Sequence, residues 1–265
     1  MQDNNIDIFI GTYKSFEPKV TNQAYKVIYG KHDIDACGNL PMYQCVSDED
    51  ILDDRFFSEI YMLKNLPKDL PLHDYVGFCL YRKYFNFLDN IPDIDDIFKD
   101  YDIILGNPLI FKCCVQKQYS LAHNIEDLEL IGKIIKDNFH DYSKSYDEVV
   151  QGNILYPYNM FIMRKEMFIK YITFVTDVLN EYIKIIGTDI NERINSNKEK
   201  YLKSFYPNST IDYQYRIGGY LAERLTNIFV NRNCNRIKTY SILITDKKYR
   251  NEKSIITQAT TYKKQ

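Results

Sequence analysis

Short, continuously apolar segments alternate with longer amphipathic ones, and this alternation constrains the fold most. Parallel strands that are covered on both faces of a sheet consist of nearly unbroken apolar runs, as in VGFCL at residues 76–80. Strands separated by helices are typical of an α/β domain with a mainly parallel sheet. We therefore expect a single three-layer α/β domain. The predicted strands lie at residues 6–11, 26–30, 75–80, 102–106 and 158–163.

Apolar residues at helical spacing predict four main helices. The first follows residue 53 and is expected to end at Pro67, and the second begins at the capping residue Asn124. A long helix follows the last predicted strand, and another begins near Gly218 with Leu221, Leu225 and Ile228 facing inward. Residues 31–50 are predicted to be a loop over the sheet, and residues 188–212 are a polar segment. We expect the domain to occupy residues 1–245, followed by a polar, fraying tail at residues 246–265.

Composition excludes several functional classes. A net charge of −2 and a pI near 6.1 disfavour a protein that mainly coats nucleic acid, because no overall basic excess is present. The six cysteines have neither C-x-x-C pairing nor zinc-ligand spacing with the histidines, which indicates reduced thiols. The longest apolar helical segment carries four charged residues and is not expected to span a membrane. These features favour a cytoplasmic protein.

Three segments carry a resemblance to a known family. DYVGFCLYRKYF, YNMFIMRKEMF and RIGGYLAERL resemble, in this order and at this spacing, motifs of a bacterial domain-of-unknown-function group of capsular or exopolysaccharide glycosyltransferases. The resemblance covers roughly residues 6–232. Two positions depart from the family pattern, since Leu80 stands where a His is common and Lys83 where a second Arg is common.

The resemblance implies a GT-A-like, Rossmann-like glycosyltransferase. The expected reaction moves a sugar from a nucleoside-diphosphate donor, a UDP-sugar first, to a glycan or lipid-linked saccharide in capsule or O-antigen synthesis. It also implies a cytoplasmic enzyme, with peripheral contact at the inner face of the membrane as a further expectation.

Predicted donor-binding residues lie where strands end, because ligands of open α/β sheets bind at the carboxyl ends of strands. Arg82 and Lys83 follow the strand at residues 75–80, and two fixed cations can hold a diphosphate. Solvated strand-end charges are the simpler alternative. The resemblance implies a nucleotide-binding loop after the first strand, which contains Gly11, Thr12 and Tyr13. It also adds Asn159 and Arg224 as predicted donor-binding residues.

Three residues are candidates for catalysis. Glu223 lies about 200° from the apolar stripe of its helix and is the first candidate for a general base, although a helix-start acid or a local pair with Arg216 or Arg224 explains it equally well. Asp127 and His123 match family positions. Helix capping and a turn histidine are their structural alternatives.

No required cofactor is predicted. Asp93, Asp95 and Asp96 contain an Asp-x-Asp sequence, but they follow Pro92 and are expected to cap a short helix. A divalent metal such as Mn²⁺ or Mg²⁺ is therefore possible but not favoured, and two phosphate-binding cations are the preferred interpretation.

The sequence is also compatible with two other functions. A phage-type transferase acting on modified DNA bases would use the basic tail beyond residue 246 together with Arg232 and Arg236 as a phosphate-binding surface. An inactive sugar-nucleotide-binding module would explain Leu80 and the missing metal motif.

Overall fold

A computed structural model of the protein describes residues 5–37, 43–46, 54–202 and 210–245. Most of its strands form one nine-stranded mixed sheet, whose main path runs β10-β6-β9-β4-β1-β2-β3. The strands are β1 Ile6–Gly11, β2 Tyr25–Gly30, β3 Tyr43–Val46, β4 Tyr75–Leu80, β5 Lys83–Phe85, β6 Ile103–Gly106, β7 Leu109–Ile110, β8 Ile154–Leu155, β9 Phe161–Arg164, β10 Ile237–Tyr240 and β11 Ile242–Ile244.

The helices cover the sheet unequally. Eight-residue and longer helices pack mainly on one face, while α3 and neighbouring loop segments cover the other. The helices are α1 Ile34–Cys37, α2 Asp54–Asp69, α3 Ile94–Asp100, α4 Val115–Ala122, α5 Ile125–Asn138, α6 Ser143–Gln151, α7 Lys165–Ile186, α8 Ile190–Ser196, α9 Lys198–Tyr201, α10 Ile211–Gln214 and α11 Ile217–Asn233.

The mainly parallel sheet predicted from the sequence is confirmed. β1 pairs in parallel with both β2 and β4, while β10 pairs in parallel with β6. β9 runs antiparallel between β4 and β6. The N-terminal end of β9 therefore lies at the same edge of the sheet as the carboxyl ends of its neighbours, which brings Tyr158 and Asn159 to that edge.

The core occupies both faces of the central strands. All six residues of β1 are buried. Phe9 and Phe78 belong to the larger apolar cluster beneath α2, α7 and α11, whereas Ile8 and Cys79 belong to the cluster on the opposite face. This double coverage is the reason that the central strands have unbroken apolar sequences.

Several local predictions were wrong. Residues 31–50, predicted to be a loop, contain α1 and the edge strand β3. The polar segment at residues 188–212, for which no element was predicted, contains α8 and α9. Helix α2 continues through Pro67 to Asp69, since a proline in the last turn removes only one backbone hydrogen bond near the end of the helix. The strands β10 and β11 were not predicted. The predicted tail at residues 246–265 lies outside the described residues.

Candidate functional site

A tight hairpin projects from the carboxyl end of β4. Tyr81 and Arg82 form a two-residue turn, and Lys83 begins β5 opposite Leu80. β11 pairs antiparallel with β5, and the Thr245 amide donates to the Arg82 carbonyl at 3.0 Å. The strand thus does not simply end in two exposed cations, as the sequence suggested, because β11 holds the turn that carries them.

Arg82 lies against the loop that follows β1. Its guanidinium is 4.5 Å from the centre of the Tyr81 ring, and Nη2 donates to the Tyr13 hydroxyl at 3.3 Å. The hydroxyl of Tyr81 donates to that of Tyr13 at 2.9 Å. Thr12 is buried and its hydroxyl bonds both the amide and the carbonyl of Lys14, which fixes the loop. The predicted residues Gly11, Thr12, Tyr13 and Arg82 are therefore brought together.

Lys83 occupies the next position around the site. Its Nζ lies 4.4 Å above the centre of the Tyr158 ring. Burial lowers the pKa of Lys83, and the positive charges of Arg216 and Arg82 lower it further, against the opposing effect of the Glu59 and Glu223 carboxylates. A cation whose charged form is disfavoured in this way gains from the approach of an anion.

The turn before β9 has a strained backbone. Tyr158 and Asn159 adopt positive φ angles of 73° and 54°, a region that side-chain-bearing residues rarely occupy. Helix α11 holds both residues, because Glu223 Oε1 accepts the Tyr158 amide at 2.7 Å and Asn159 Oδ1 accepts the Thr226 hydroxyl at 3.0 Å. The buried Asn159 side chain thereby shapes the turn that places Tyr158 beneath Lys83.

Arg216 is a further cation at this edge that sequence reasoning did not identify as a binding residue. It is the N-terminal capping residue of α11, its side chain is half exposed, and it pairs with Glu59 of α2 at 3.5 Å. Its guanidinium interacts electrostatically with the hydroxyls of Tyr220, Tyr213 and Tyr13. Its position just before GGYLAERL was visible in the sequence, but its proximity to Lys83 depends on the tertiary fold.

The first turn of α11 is open. A Cβ added at Gly219 would meet no heavy atom within 4 Å. The free amides at the start of a helix carry partial positive charge and favour anions. Arg82, Lys83, Arg216 and this turn therefore form what we term the cation cluster.

Glu223 is more covered than the helical pattern predicted. Its side chain is 17% exposed, because the turn at Tyr158 packs across it. Its Oε2 accepts a hydrogen bond from Arg224 Nη1 at 2.6 Å. Each carboxylate oxygen retains a lone pair beyond the hydrogen bond that it accepts, so the group is still able to accept a proton. Its role as a base remains a prediction.

Arg224 lies inside the protein rather than at the open edge. Its side chain is 3% exposed, its guanidinium lies 4.9 Å from the centre of the Tyr119 ring, and Nη2 donates to Gln118 at 2.7 Å. From this position Arg224 orients Glu223. Direct donor binding by Arg224 remains a prediction that this placement does not favour.

Asp127 lies in a separate polar group beneath α7 and α8. Its Oδ1 accepts hydrogen bonds from Tyr182 at 2.6 Å and from Arg193 at 2.7 Å. Burial raises the pKa of Asp127 in spite of these bonds. The structure does not place Asp127 beside the cation cluster, and its catalytic role remains a prediction.

His123 belongs to an aromatic stack. Its ring lies 3.9 Å from that of Tyr220, nearly parallel to it, and Nδ1 is 3.2 Å from Gln214 Oε1. His123 is 6% exposed. The stack adjoins Arg216 through Tyr220, so His123 supports the site from behind rather than facing it.

Among the described residues, the carboxylates at this edge do not form a metal-ligand set. Glu59 and Glu223, the two that interact with Lys83, are each engaged by a guanidinium, and a divalent cation needs a larger oxygen shell. In the parts of the chain that the structure describes, no group of three His, Cys, Asp or Glu side chains is placed to hold a metal ion. Asp93 caps α3, as expected, by accepting the Asp96 amide.

Comparison with known proteins identifies the family. Residues 8–236 match the model of the domain of unknown function DUF4422, and the chain belongs to this family. No curated protein matches it. None of the helices in the described ranges has the length and apolarity needed to cross a membrane.

A solved structure shares the fold. The chain is similar to the apo structure of WbbM, a bifunctional glycosyltransferase, with 18% sequence identity and a TM-score of 0.65. The match covers 91% of this chain and 45% of the WbbM chain, so this chain spans about half the length of that protein. The GT-A-like mixed α/β fold expected from the sequence is thus confirmed.

Proposed function

We propose that this member of the DUF4422 family is a glycosyltransferase that moves a sugar from a nucleoside-diphosphate donor to a glycan. The observation that carries the proposal is the cation cluster at the carboxyl edge of the sheet. Arg82 and Lys83 come from one hairpin, Arg216 comes from the start of α11, and the charges of Arg82 and Arg216 both act on Lys83. The glycosyltransferase fold of WbbM is consistent with this function.

Like charges gathered at one edge favour the approach of an anionic ligand. Glu59 pairs with Arg216 within the cluster, and Glu223 pairs with the buried Arg224. A diphosphate adds negative charge with the geometry that guanidinium groups bind, two oxygens at a time. The strand edge is also where ligands of open α/β sheets bind. A nucleoside diphosphate therefore fits the cluster in both charge and position.

The same cations assist the reaction. When the bond between the sugar and the diphosphate breaks, negative charge grows on the leaving phosphate oxygens. Fixed cations aimed at those oxygens stabilise the transition state more than the ground state. Burial lowers the pKa of Lys83, so the lysine gains most from an anion whose charge is increasing. In this proposal the cations do the work that a divalent ion does in other transferases.

Tyr13 and Glu223 take the two remaining roles. Tyr13 is 48% exposed at the end of the β1 loop and offers a ring face to the nucleobase. Glu223 is the candidate base for the acceptor hydroxyl, because its carboxylate interacts with Lys83 at the cluster while Arg224 holds it in place. UDP-sugars and a capsule or O-antigen acceptor remain the first choice of substrates.

Donor turnover without metal tests the proposal. Purified protein is incubated with a panel of nucleoside-diphosphate sugars and a mixture of saccharide acceptors, with EDTA or with Mn²⁺, and released nucleoside diphosphate is measured. We expect release that persists in EDTA. Release that stops in EDTA and returns with Mn²⁺ would contradict the metal-independent mechanism. Absence of release with every donor would contradict the transferase and favour a binding module.

The same experiment addresses the DNA alternative. DNA containing hydroxymethylated cytosine is added to the acceptor mixture, and incorporation of labelled sugar into DNA is compared with incorporation into saccharide. We expect labelled saccharide. The basic tail on which the DNA alternative depends lies outside the described residues, so no contact of that tail supports it.

A further inference from the structure

An aromatic group at the start of α11 is not used by the donor reaction. Tyr213 precedes α11, Tyr220 lies in its first turns and His123 follows α4. These residues, which we term the aromatic stack, follow one another at ring distances of 5.2 Å and 3.9 Å. His123 is buried at the inner end, whereas Tyr213 at the outer end is 39% exposed. The stack thus begins in the core and ends at the surface.

The outer ring is held in place through its backbone. The Tyr213 amide donates to the Thr210 hydroxyl at 3.2 Å, and the Tyr213 carbonyl accepts the Tyr220 hydroxyl at 2.8 Å. Burial and the neighbouring Tyr213 raise the pKa of Tyr220, so its hydroxyl stays protonated and able to donate. Next to Tyr213, the buried Gln214 donates to the Ala122 carbonyl at 3.1 Å and anchors the segment against α4. Tyr213 is a preorganised ring rather than a loosely attached one.

The position of the ring relates it to the cation cluster. Arg216 interacts electrostatically with Tyr213, Tyr220 and Tyr13. Tyr13 follows β1 and is hydrogen-bonded to Arg82, whereas Tyr213 precedes α11 and accepts a hydrogen bond from Tyr220, so the two half-exposed tyrosines approach Arg216 from different elements. Gly219 leaves open space at the first turn of α11 next to Tyr220. A ligand bound to the cations can extend over this space toward Tyr213.

We propose that Tyr213 is a stacking platform for a saccharide ring of the acceptor, an inference that rests on the proposed function. Sugar rings have an apolar face of C–H groups and a rim of hydroxyls, and a tyrosine ring with an exposed face and a polar edge complements both. The donor diphosphate occupies Arg82 and Lys83, and Tyr13 is hydrogen-bonded to Arg82. Tyr213, held against Tyr220 near Arg216, is then left for the acceptor.

Binding of simple glycosides tests this inference. Saturation-transfer NMR is recorded on the full chain with a panel of methyl glycosides of common hexoses, deoxyhexoses and N-acetylhexosamines in the presence of UDP. We expect saturation transfer to the ring protons of at least one glycoside. Tyr213→Phe keeps the ring face and should retain the signal, whereas Tyr213→Ala should weaken affinity about tenfold. Tyr101→Ala, which removes a partly buried tyrosine at the opposite edge of the sheet, is the matched control.

The outcomes separate this inference from the proposed function. If no glycoside receives saturation from the wild-type protein, or if Tyr213→Ala binds as the wild type does, the platform is contradicted whatever the catalytic result. If glycosides bind through Tyr213 but no donor is turned over, the platform stands and the transferase proposal fails. Circular dichroism and the UDP-induced shift in melting temperature check that Tyr213→Ala remains folded. Loss of the glycoside signal supports the platform only when the spectrum and the UDP-induced shift are unchanged. If Tyr213→Ala loses its spectrum and its UDP-induced shift, and Tyr213→Phe also gives no glycoside signal, the platform is contradicted.

Discussion

The main-chain amide of Tyr158 donates a hydrogen bond to Oε1 of Glu223 at 2.7 Å. This bond links the strained turn before β9 to α11, so the candidate base Glu223 also has a structural role. Proton transfer requires Glu223 to be ionised, and its pair with the buried Arg224 also uses that charge. The backbone bond requires an acceptor oxygen alone, so substitutions can separate the two roles.

Glu223→Gln should lower kcat by about 10² to 10⁴-fold while keeping the acceptor for the Tyr158 amide. The glutamine loses the charge and basicity and no longer pairs with the buried Arg224, so the melting temperature should also fall. Glu223→Ala should lower the melting temperature further, because it removes the acceptor of the Tyr158 amide as well. Steady-state kinetics and thermal unfolding of both variants check this, and a kcat of Glu223→Gln within twofold of the wild type would remove Glu223 as the base.

Arg82→Ala should lower turnover of the donor by about 10²-fold, because its guanidinium is proposed to stabilise charge on the leaving diphosphate. Arg82→Lys should recover part of the loss, since a point charge replaces a planar fork. Lys238→Ala is the matched control, because Lys238 also lies over tyrosine rings but on the edge strand β10. If Arg82→Ala and Lys238→Ala lowered donor turnover equally, the loss of any ring-stacked cation would explain the effect, and the specific role of Arg82 would be contradicted.

Gly219→Ala should raise stability by about 0.5 to 1 kcal/mol and at the same time weaken donor binding. Alanine is the better helix former, and its methyl group meets no protein atom. The methyl group would instead occupy space proposed for substrate. Urea unfolding and a UDP titration measure the two effects. Gly187→Ala is the comparison, because Gly187 is equally open but has φ +84°, so this variant should be less stable without any effect on UDP.

Asp7 should make stability depend on pH at acid pH. Burial alone would raise the pKa of this fully buried carboxyl, but hydrogen bonds from Lys26 and His73 hold it below its ordinary value of 3.8. A lowered pKa in the folded state means that the stabilising contribution is present above pH 3.8 and is lost as the pH falls through the folded value.

Asp7→Asn should therefore cost about 3 to 5 kcal/mol at pH 7, since it leaves Lys26 without its buried partner. The difference from the wild type should shrink as the pH falls below about 3.8, as measured by urea unfolding from pH 7 to pH 3. Asp96→Asn, which breaks an exposed pair with Lys99, is the control and should change stability by less than about 0.5 kcal/mol. A constant difference across this pH range would contradict the assignment.

The sequence predicted the elements whose signal is local. β1, β4 and β9 are apolar on both faces, and the inward residues Leu221, Leu225 and Ile228 of α11 are fully buried, as expected from their spacing. The short edge strand β3 was not predicted, because pairing with β2 stabilises it rather than a strand pattern in its own sequence.

The candidate site was predicted only in part, for a related reason. Tyr13 and Arg82 follow strands that pair with each other, so topology alone brings them together. Arg216 joins them through the packing of α2 and α11, and Asp127 lies elsewhere because α5 packs against α7. These long-range contacts leave no periodic signal in the chain. The positive φ angles at Tyr158 and Asn159 are equally invisible, since neither residue is a glycine.

Calorimetric titration of the protein with UDP, UMP and uridine in EDTA tests the central claim most directly. If the cation cluster holds a diphosphate, UDP should bind at least tenfold more tightly than uridine, and UMP should lie between them. Arg82→Ala should remove most of the advantage of UDP. Equal affinities for UDP and uridine, or an advantage that appears only with Mn²⁺ and survives in Arg82→Ala, would contradict the claim that Arg82, Lys83 and Arg216 bind the diphosphate.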